Sequence, residues 1–279
     1  MLSIIYGILS ALSWGAGDFT GGLASRRTGA YQTVFYAEVV GILPVIVIVV
    51  GLWQPVPPIK VWLLAFSAGI LGTTGLLLLY HSMTLGLISI ATPVSALLAA
   101  TVPVLIGIFT EGLPKLTIMI GFGFALLAIW LVSQGADGVK DILAHFADLK
   151  LPLLAGIGFG FYFVTMHEAT RTETYFPMII SRLGGMIIIT VYMVLRRASW
   201  KVNKVAWPLI VVNGVLDIGG NLFFILAGQA GRLDVAAILS SLFPASTVLL
   251  AALILKERVS RSQMGGIILA LSAIVLMTI

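Results

Sequence analysis

The chain reads as an all-α membrane protein, with ten transmembrane helices arranged as two inverted five-helix repeats. Composition is the first observation behind that reading. Hydrophobic residues fill 59% of the 279 positions and charged residues 10%, against roughly 25% charged in a soluble domain, and the mean hydropathy is +1.11. The second is run length, since the apolar residues fall into stretches close to the ~20 residues a helix needs to cross hydrocarbon. The third is duplication. Gly69, Gly75, Gly86 and Gly121 recur as Gly214, Gly220, Gly231 and Gly266, an offset of about 145 residues. Gly41 with Gly185, Glu111 with Glu257, and Gly7 with Gly156 follow at slightly different spacings. Five spans per repeat is an odd number, so the second repeat enters the membrane upside down and the pseudo-twofold axis lies in the membrane plane.

The expected spans are 2–21, 31–51, 61–82, 86–109, 115–133, 151–167, 176–195, 207–227, 233–255 and 261–278. The first repeat is 1–133 and the second 151–279. Met1-Leu2-Ser3 lacks the basic region of a secretory signal, so the first run is expected to stay as a helix. Pro55, Pro57 and Pro58 stiffen the second connection. The linker 134–150 carries Val139, Ile142, Leu143, Phe146 and Leu149 at helical spacing, which predicts a short interfacial helix tethering the halves.

Assigning loops alternately to two sides puts Arg26, Arg27, Lys140, Lys150, Arg196, Arg197, Lys201, Lys204, Lys256, Arg258 and Arg261 on one side. Lys60, Lys115, Arg171 and Arg232 fall on the other. The richer side is expected to be cytoplasmic, with both termini outside. The net charge of +5 is thereby explained by membrane orientation, and no nucleic-acid partner is expected. Trp53, Trp62, Trp130, Trp200, Trp207 and Tyr175 stand near run ends, where aromatic belts belong.

A charge at the bilayer centre costs about 2.5 kcal/mol or more and must face protein or water. Glu38, Arg182, Asp217 and, near the far end of its span, Asp18 are such residues. Aligned on the glycines, Glu38 and Arg182 occupy equivalent positions. Their depths, estimated from helix starts on opposite faces, differ by roughly 10 Å, so direct contact is not implied. Asn213, Asp217 and Asn221, at i, i+4 and i+8, form one polar stripe, and Asp217 is the favoured partner of Arg182. The stripe serves either as interhelical glue or as the lining of a wet cavity. Gly7, Ala11, Trp14, Gly15, Asp18 and Gly22 share a face of the first span. Trp14 lies too deep for a belt and forms a cavity wall, a cation–π surface or core packing. Asp18 is expected to reach headgroup water near Arg26 or Arg27.

Gly156, Gly158, Gly160, Pro93, Pro103 and Pro244 predict kinks where the repeats meet. With no cysteine, and with His81, His145 and His167 scattered, no metal centre or cofactor is expected. His167-Glu168 lacks the second histidine of HExxH, and neither GxSxG nor a phosphate-binding loop is present.

The ordered, duplicated set of Trp14-Gly15, Arg182, Glu111-Gly112-Leu113 and Glu257-Arg258-Val259-Ser260 resembles the drug/metabolite transporter superfamily, in its ten-helix branch of paired EamA-type domains. The run from Trp14-Gly15-Ala16-Gly17-Asp18-Phe19 to Ala24-Ser25-Arg26-Arg27 is similar to one subgroup of that branch. The resemblance implies a multi-pass secondary transporter of the cell's inner membrane. Its central cavity would be lined mainly by helices 1, 3, 4, 6, 8 and 9, with 5 and 10 peripheral. Pro103 departs from the pattern, because it does not align with Pro244.

The expected function is alternating-access transport of a small organic solute: an amino acid, an amine or a drug-like compound. Arg182 would hold a carboxylate or an internal counter-ion, and Asp217 or Glu38 would carry a proton or a substrate cation. Trp14 and Asn221 would shape the pocket, with Asp18 and Asn213 in lesser roles. The alternative is a non-transporting scaffold or accessory subunit, which would not need the buried charges. An intramembrane enzyme lacks a recognisable nucleophile–base or metal set.

Overall fold

A computed structural model describes residues 1–53, 55–84, 88–132, 150–254, 256 and 260–278, of which 83–84, 88–93, 251 and 278 are described by backbone alone. Gly86, His145, Glu257, Arg258, Val259 and the linker up to residue 149 lie outside the described residues. The described elements are helical: α1 Leu2–Thr28, α2 Ala30–Gly51, α3 Ile59–Thr84, α4 Ile88–Glu111, α5 Leu116–Val132, α6 Lys150–Ala169, α7 Tyr175–Leu195, α8 Trp207–Gln229, α9 Leu233–Ser240, α10 Phe243–Ile254 and α11 Arg261–Thr278. A single 3-10 turn, Lys204–Ala206, precedes α8.

Among the described residues, seven helical segments are long and apolar enough to cross a membrane: those at α1, α2, α3, α4, α7, α8, and α9 with α10. The other three expected spans are weaker, for visible reasons. Leu116–Val132 and Arg261–Met277 are apolar but short, at the lower end of the ~17–25 residues that suffice. In α6, Pro152, three glycines, His167 and Glu168 dilute the apolar character.

Backbone chemistry sets the boundaries. Gly29 ends α1 with φ of 102° and Gly112 follows α4 with φ of 77°, conformations that a side chain disfavours. At α11 the Ser260 hydroxyl accepts from Gln263 N–H at 3.2 Å while Gln263 Oε1 accepts from Ser260 N–H at 2.9 Å. This reciprocal capping box fixes the helix start that Ser260 predicts.

The expected kinks are realised unevenly. The ninth span breaks at Ser241–Leu242, between α9 and α10. The physical cause is Pro244, which lacks an N–H and whose ring crowds the carbonyl four residues back, at Ser240. By contrast α4 runs unbroken through Pro93 and Pro103, and α6 through its three glycines. Those glycines serve close packing instead: a Cβ on Gly160 would come 2.9 Å from Val102 Cγ2, and one on Gly158 would stand 3.0 Å from the Leu71 carbonyl.

Helix contacts join the first half to the second. α1 packs on α8, α9 and α10; α3 on α6 and α7; α4 on α6; α2 on α7 and α8; and α5 on α11. Between helices in lipid the hydrophobic effect gives little drive, so small residues and hydrogen bonds hold the crossings. Ser10 Oγ donates to the Gly220 carbonyl (2.9 Å), Ser13 Oγ to Leu216 (2.7 Å) and Thr247 Oγ1 to Gly15 (3.0 Å). Leu43, Val47, Leu63, Leu253 and Leu271 point outward as an apolar girdle suited to acyl chains. Phe163, Met166, Phe224 and Ile225 are buried where the halves meet. Gly22, expected to pack with the face of Gly7 and Gly15, has nothing within 4 Å of its would-be Cβ; Gly21 makes the contact, against Asn213 and the Tyr80 hydroxyl.

Candidate functional site

Four close approaches bring α2, α3, α7 and α8 around one point. A Cβ on Gly69 would overlap the Ser181 carbonyl, and one on Gly214 would lie 2.6 Å from the Ala37 carbonyl. A Cβ on Gly41 would stand 2.9 Å from the Gly214 carbonyl, and one on Gly185 would displace the Thr73 hydroxyl. Absence of four side chains thus makes room for a cluster of polar ones.

At its centre, Arg182 Nη1 donates to Glu38 Oε2 at 2.6 Å and Nη2 donates to Asp217 Oδ2. The guanidinium therefore bridges both carboxylates. The depth estimate that separated Glu38 from Arg182 is corrected: the glycine-mediated crossing brings α2 against α7 and α8, and the long arginine side chain covers what height remains. Both ions of the Glu38 pair are buried, at 6% and 7% exposure, so each depends on the other for charge compensation. Thr73 Oγ1 donates to the second oxygen of Glu38 at 3.2 Å. Asn221 Nδ2 donates to the Asp217 carbonyl at 2.7 Å and to Oδ2 at 3.3 Å, and the Tyr162 hydroxyl donates to Asn221 Oδ1. One hydrogen-bonded chain thus runs from α3 through α2, α7 and α8 to α6. Asn213 stands apart from it and donates to the Gly17 carbonyl at 2.8 Å, which is the gluing role.

This chain of groups borders a cavity between the halves, whose walls include Trp14, Asp18, Glu38, Tyr162, Arg182, Asp217 and Asn221. The cavity volume is about 110 Å³, several times the ~10–15 Å³ that one water takes. Trp14 forms part of the wall and stacks on Phe163 (centroids 5.4 Å apart) and on Phe224 (6.0 Å), so wall and packing are one role. A smaller cavity adjoins it, sharing Trp14, Asp18, Glu38, Arg182 and Asp217 and adding Asn213.

Asp18 corrects a second expectation. It lines both cavities, as Asp217 does, instead of turning to headgroup water, while Arg27 is engaged with the Val205 carbonyl at 3.4 Å. Among the described residues no group of His, Cys, Asp and Glu has the makings of a metal site.

Sequence reasoning missed Thr73 and Tyr162, whose types are too common in helices to single out. It also missed Asp234, which is 0% exposed at the first turn of α9. Its signal was available: a carboxylate one residue inside an apolar run. Arg232 holds it with Nη2 to Oδ2 at 2.7 Å, and that hydrogen bonding pushes the arginine pKa above the ordinary guanidinium value. The same arginine donates to the Gly112 carbonyl at 2.7 Å, tying the end of α4 to the start of α9.

The comparisons with known proteins agree with this architecture. The family model of the EamA-like transporter family matches residues 1–134 and 147–279. A crystal structure superposes on 99% of this chain and 98% of its own with a TM-score of 0.81 at 17% identity, a likeness of fold. An uncharacterized protein of Methanocaldococcus jannaschii is 27% identical over 129 residues, which are 46% of this chain and 94% of that protein.

Proposed function

Since the chain belongs to the EamA-like transporter family, a multi-pass class of membrane transporters, we propose that it is a secondary transporter moving a small organic solute through the cavity between its halves by alternating access. The observation that carries the reading is the Arg182 bridge: one buried guanidinium joins Glu38 of the first half to Asp217 of the second on the wall of a cavity. A bridge between carboxylates on different halves can be rearranged by a solute or a proton, which gives moving bundles something to respond to. Trp14 and Asn221 shape the pocket, Asp217 and Glu38 carry the exchangeable charge, and Asp18 lies beside them.

The halves, 1–133 and 151–279 with the linker 134–150 between, act in this reading as an inverted repeat. Reciprocal contacts support it. A Cβ on Gly121 would meet Met277 Cγ at 3.0 Å and the Ala273 carbonyl at 3.2 Å, and one on Gly266 would meet Val132 N at 2.6 Å and the Ala128 carbonyl at 2.9 Å. Each residue of the first set corresponds to one of the second at the same offset, about 145 residues, and such exchange of partners is what a twofold relation produces. The pair Gly69 with Ser181 and Gly214 with Ala37 repeats the pattern. The Methanocaldococcus protein, matched over 94% of its length by under half of this chain, is about the size of one repeat.

The membrane assigned is the cell's inner membrane. Flux of radiolabelled amino acids, amines and neutral drug-like solutes into proteoliposomes tests the reading, with Arg182→Ala as the control. Saturable uptake lost in the variant supports transport. Failure of every solute to exceed protein-free vesicles, with wild-type protein inserted, leaves the scaffold alternative.

A further inference from the structure

Counting charges around the cavity gives an imbalance. Arg182 spends its two terminal nitrogens on Glu38 and Asp217, so that trio already carries one excess negative charge when all are ionised. Asp18 adds another. Among the described residues Asp18 has no hydrogen-bond donor or cationic partner in the protein, and another carboxylate, Asp217, lines both cavities with it. Tyr80 and Asn213 add their polar groups to the wall of the smaller cavity. A carboxylate in such a site requires a counter-charge or a proton. The fold supplies the position for one, since Asp18 borders both cavities one helical turn beyond Trp14.

The rest of the wall says what kind of cation suits it. Phe159, Phe163, Met166 and Trp14 present apolar and aromatic surface beside the carboxylates. A hard metal ion needs about six oxygens to replace its hydration shell, and the described residues hold no group of three or more His, Cys, Asp or Glu placed to bind one. An ammonium group needs only a few acceptors and gains from neighbouring aromatic rings.

Resting on the transporter reading above, we infer that the solute is an organic cation, a protonated amine whose ammonium group sits at Asp18 between Trp14 and Asp217 and whose apolar body lies against Phe159, Phe163 and Met166. Arg182 then acts as an internal counter-ion to Glu38 and Asp217, and it does not receive a substrate carboxylate.

Three ligands of one shape separate the possibilities: phenethylammonium, its neutral isostere 2-phenylethanol, and phenylacetate. Binding is measured by calorimetry on the purified full-length protein in detergent at neutral pH. The cation is expected to bind at least tenfold more tightly than either other ligand, and Asp18→Asn to abolish that preference while the variant melts as a folded protein. Preference for phenylacetate returns Arg182 to the role of substrate anchor and overturns the assignment. Equal or undetectable binding of all three, the result if a proton alone occupies Asp18, overturns it as well. Should Asp18→Asn fail to fold, the ligand series on the unmodified protein decides alone. Binding without flux in proteoliposomes would instead sink the transporter reading and leave the site standing; flux of a neutral solute with no cation preference would do the reverse.

Discussion

Arg182 Nη1 lies 2.6 Å from Glu38 Oε2, across a helix crossing that exists because Gly41 and Gly185 have no side chains to fill it. Removing the guanidinium leaves Glu38 buried without its counter-charge, beside Asp217 on the cavity wall. Breaking a buried pair from one side costs about 3–5 kcal/mol, whereas replacing the whole set by neutral groups can cost little. Arg182→Ala is therefore expected to lower the unfolding free energy by about 3 kcal/mol or more, and Arg182→Gln combined with Glu38→Gln and Asp217→Asn to be less destabilised than Arg182→Ala alone. Denaturant unfolding in mixed micelles measures both. A triple variant weaker than the single one would mean that the charges hold the crossing together rather than merely compensating each other.

Gly265 and Gly266 are neighbours in α11 with opposite surroundings. A Cβ on Gly266 would come 2.6 Å from Val132 N of α5, while one on Gly265 meets nothing within 4 Å. Gly266→Ala should cost about 1–3 kcal/mol, as overpacking does, and Gly265→Ala should be neutral or slightly stabilising. Thermal melting of the two variants is the check, and equal melting temperatures would contradict the close α5 and α11 packing.

Arg232 and Asp234 form a tie at one end of the molecule. Arg232→Ala strands a carboxylate that is 0% exposed, so a loss of about 3 kcal/mol is expected. Asp234→Asn keeps a hydrogen-bonding group and removes the stranded charge, and should be milder. Unfolding midpoints that rank the two the other way round would show that the arginine is dispensable there.

Loop charge predicts an orientation. The ends of α1 and α7 and the start of α8, where Arg26, Arg27, Arg196, Arg197, Lys201 and Lys204 lie, meet on one side: Gln32 donates to the Ser199 carbonyl at 2.6 Å and Asn203 N–H donates to Thr28 Oγ1 at 3.1 Å. Lys60 with Glu168 and Arg171 with Glu168 pair at the other. With the basic side cytoplasmic, a reporter fused after Ile279 is expected to be active outside the cytoplasm. Cytoplasmic activity would reverse the topology.

The sequence by itself determined the membrane class, the approximate positions of the described helices and most of the charges that lie within them. Hydrocarbon imposes run length and excludes unpaired charge, and both constraints are local, so they are written in single segments. Pro244 and Ser260 likewise set their helix boundaries through their immediate neighbours. Tertiary structure alone decided who meets whom. That Arg182 is shared between Glu38 and Asp217, that Asp18 turns to the cavity rather than to Arg26 or Arg27, and that Tyr162 and Thr73 complete the chain of hydrogen bonds all depend on the distance between helix axes. Glycine contacts such as Gly69 on Ser181 and Gly214 on Ala37 set that distance, and a spacing between helices far apart in sequence cannot be read from the period of either one.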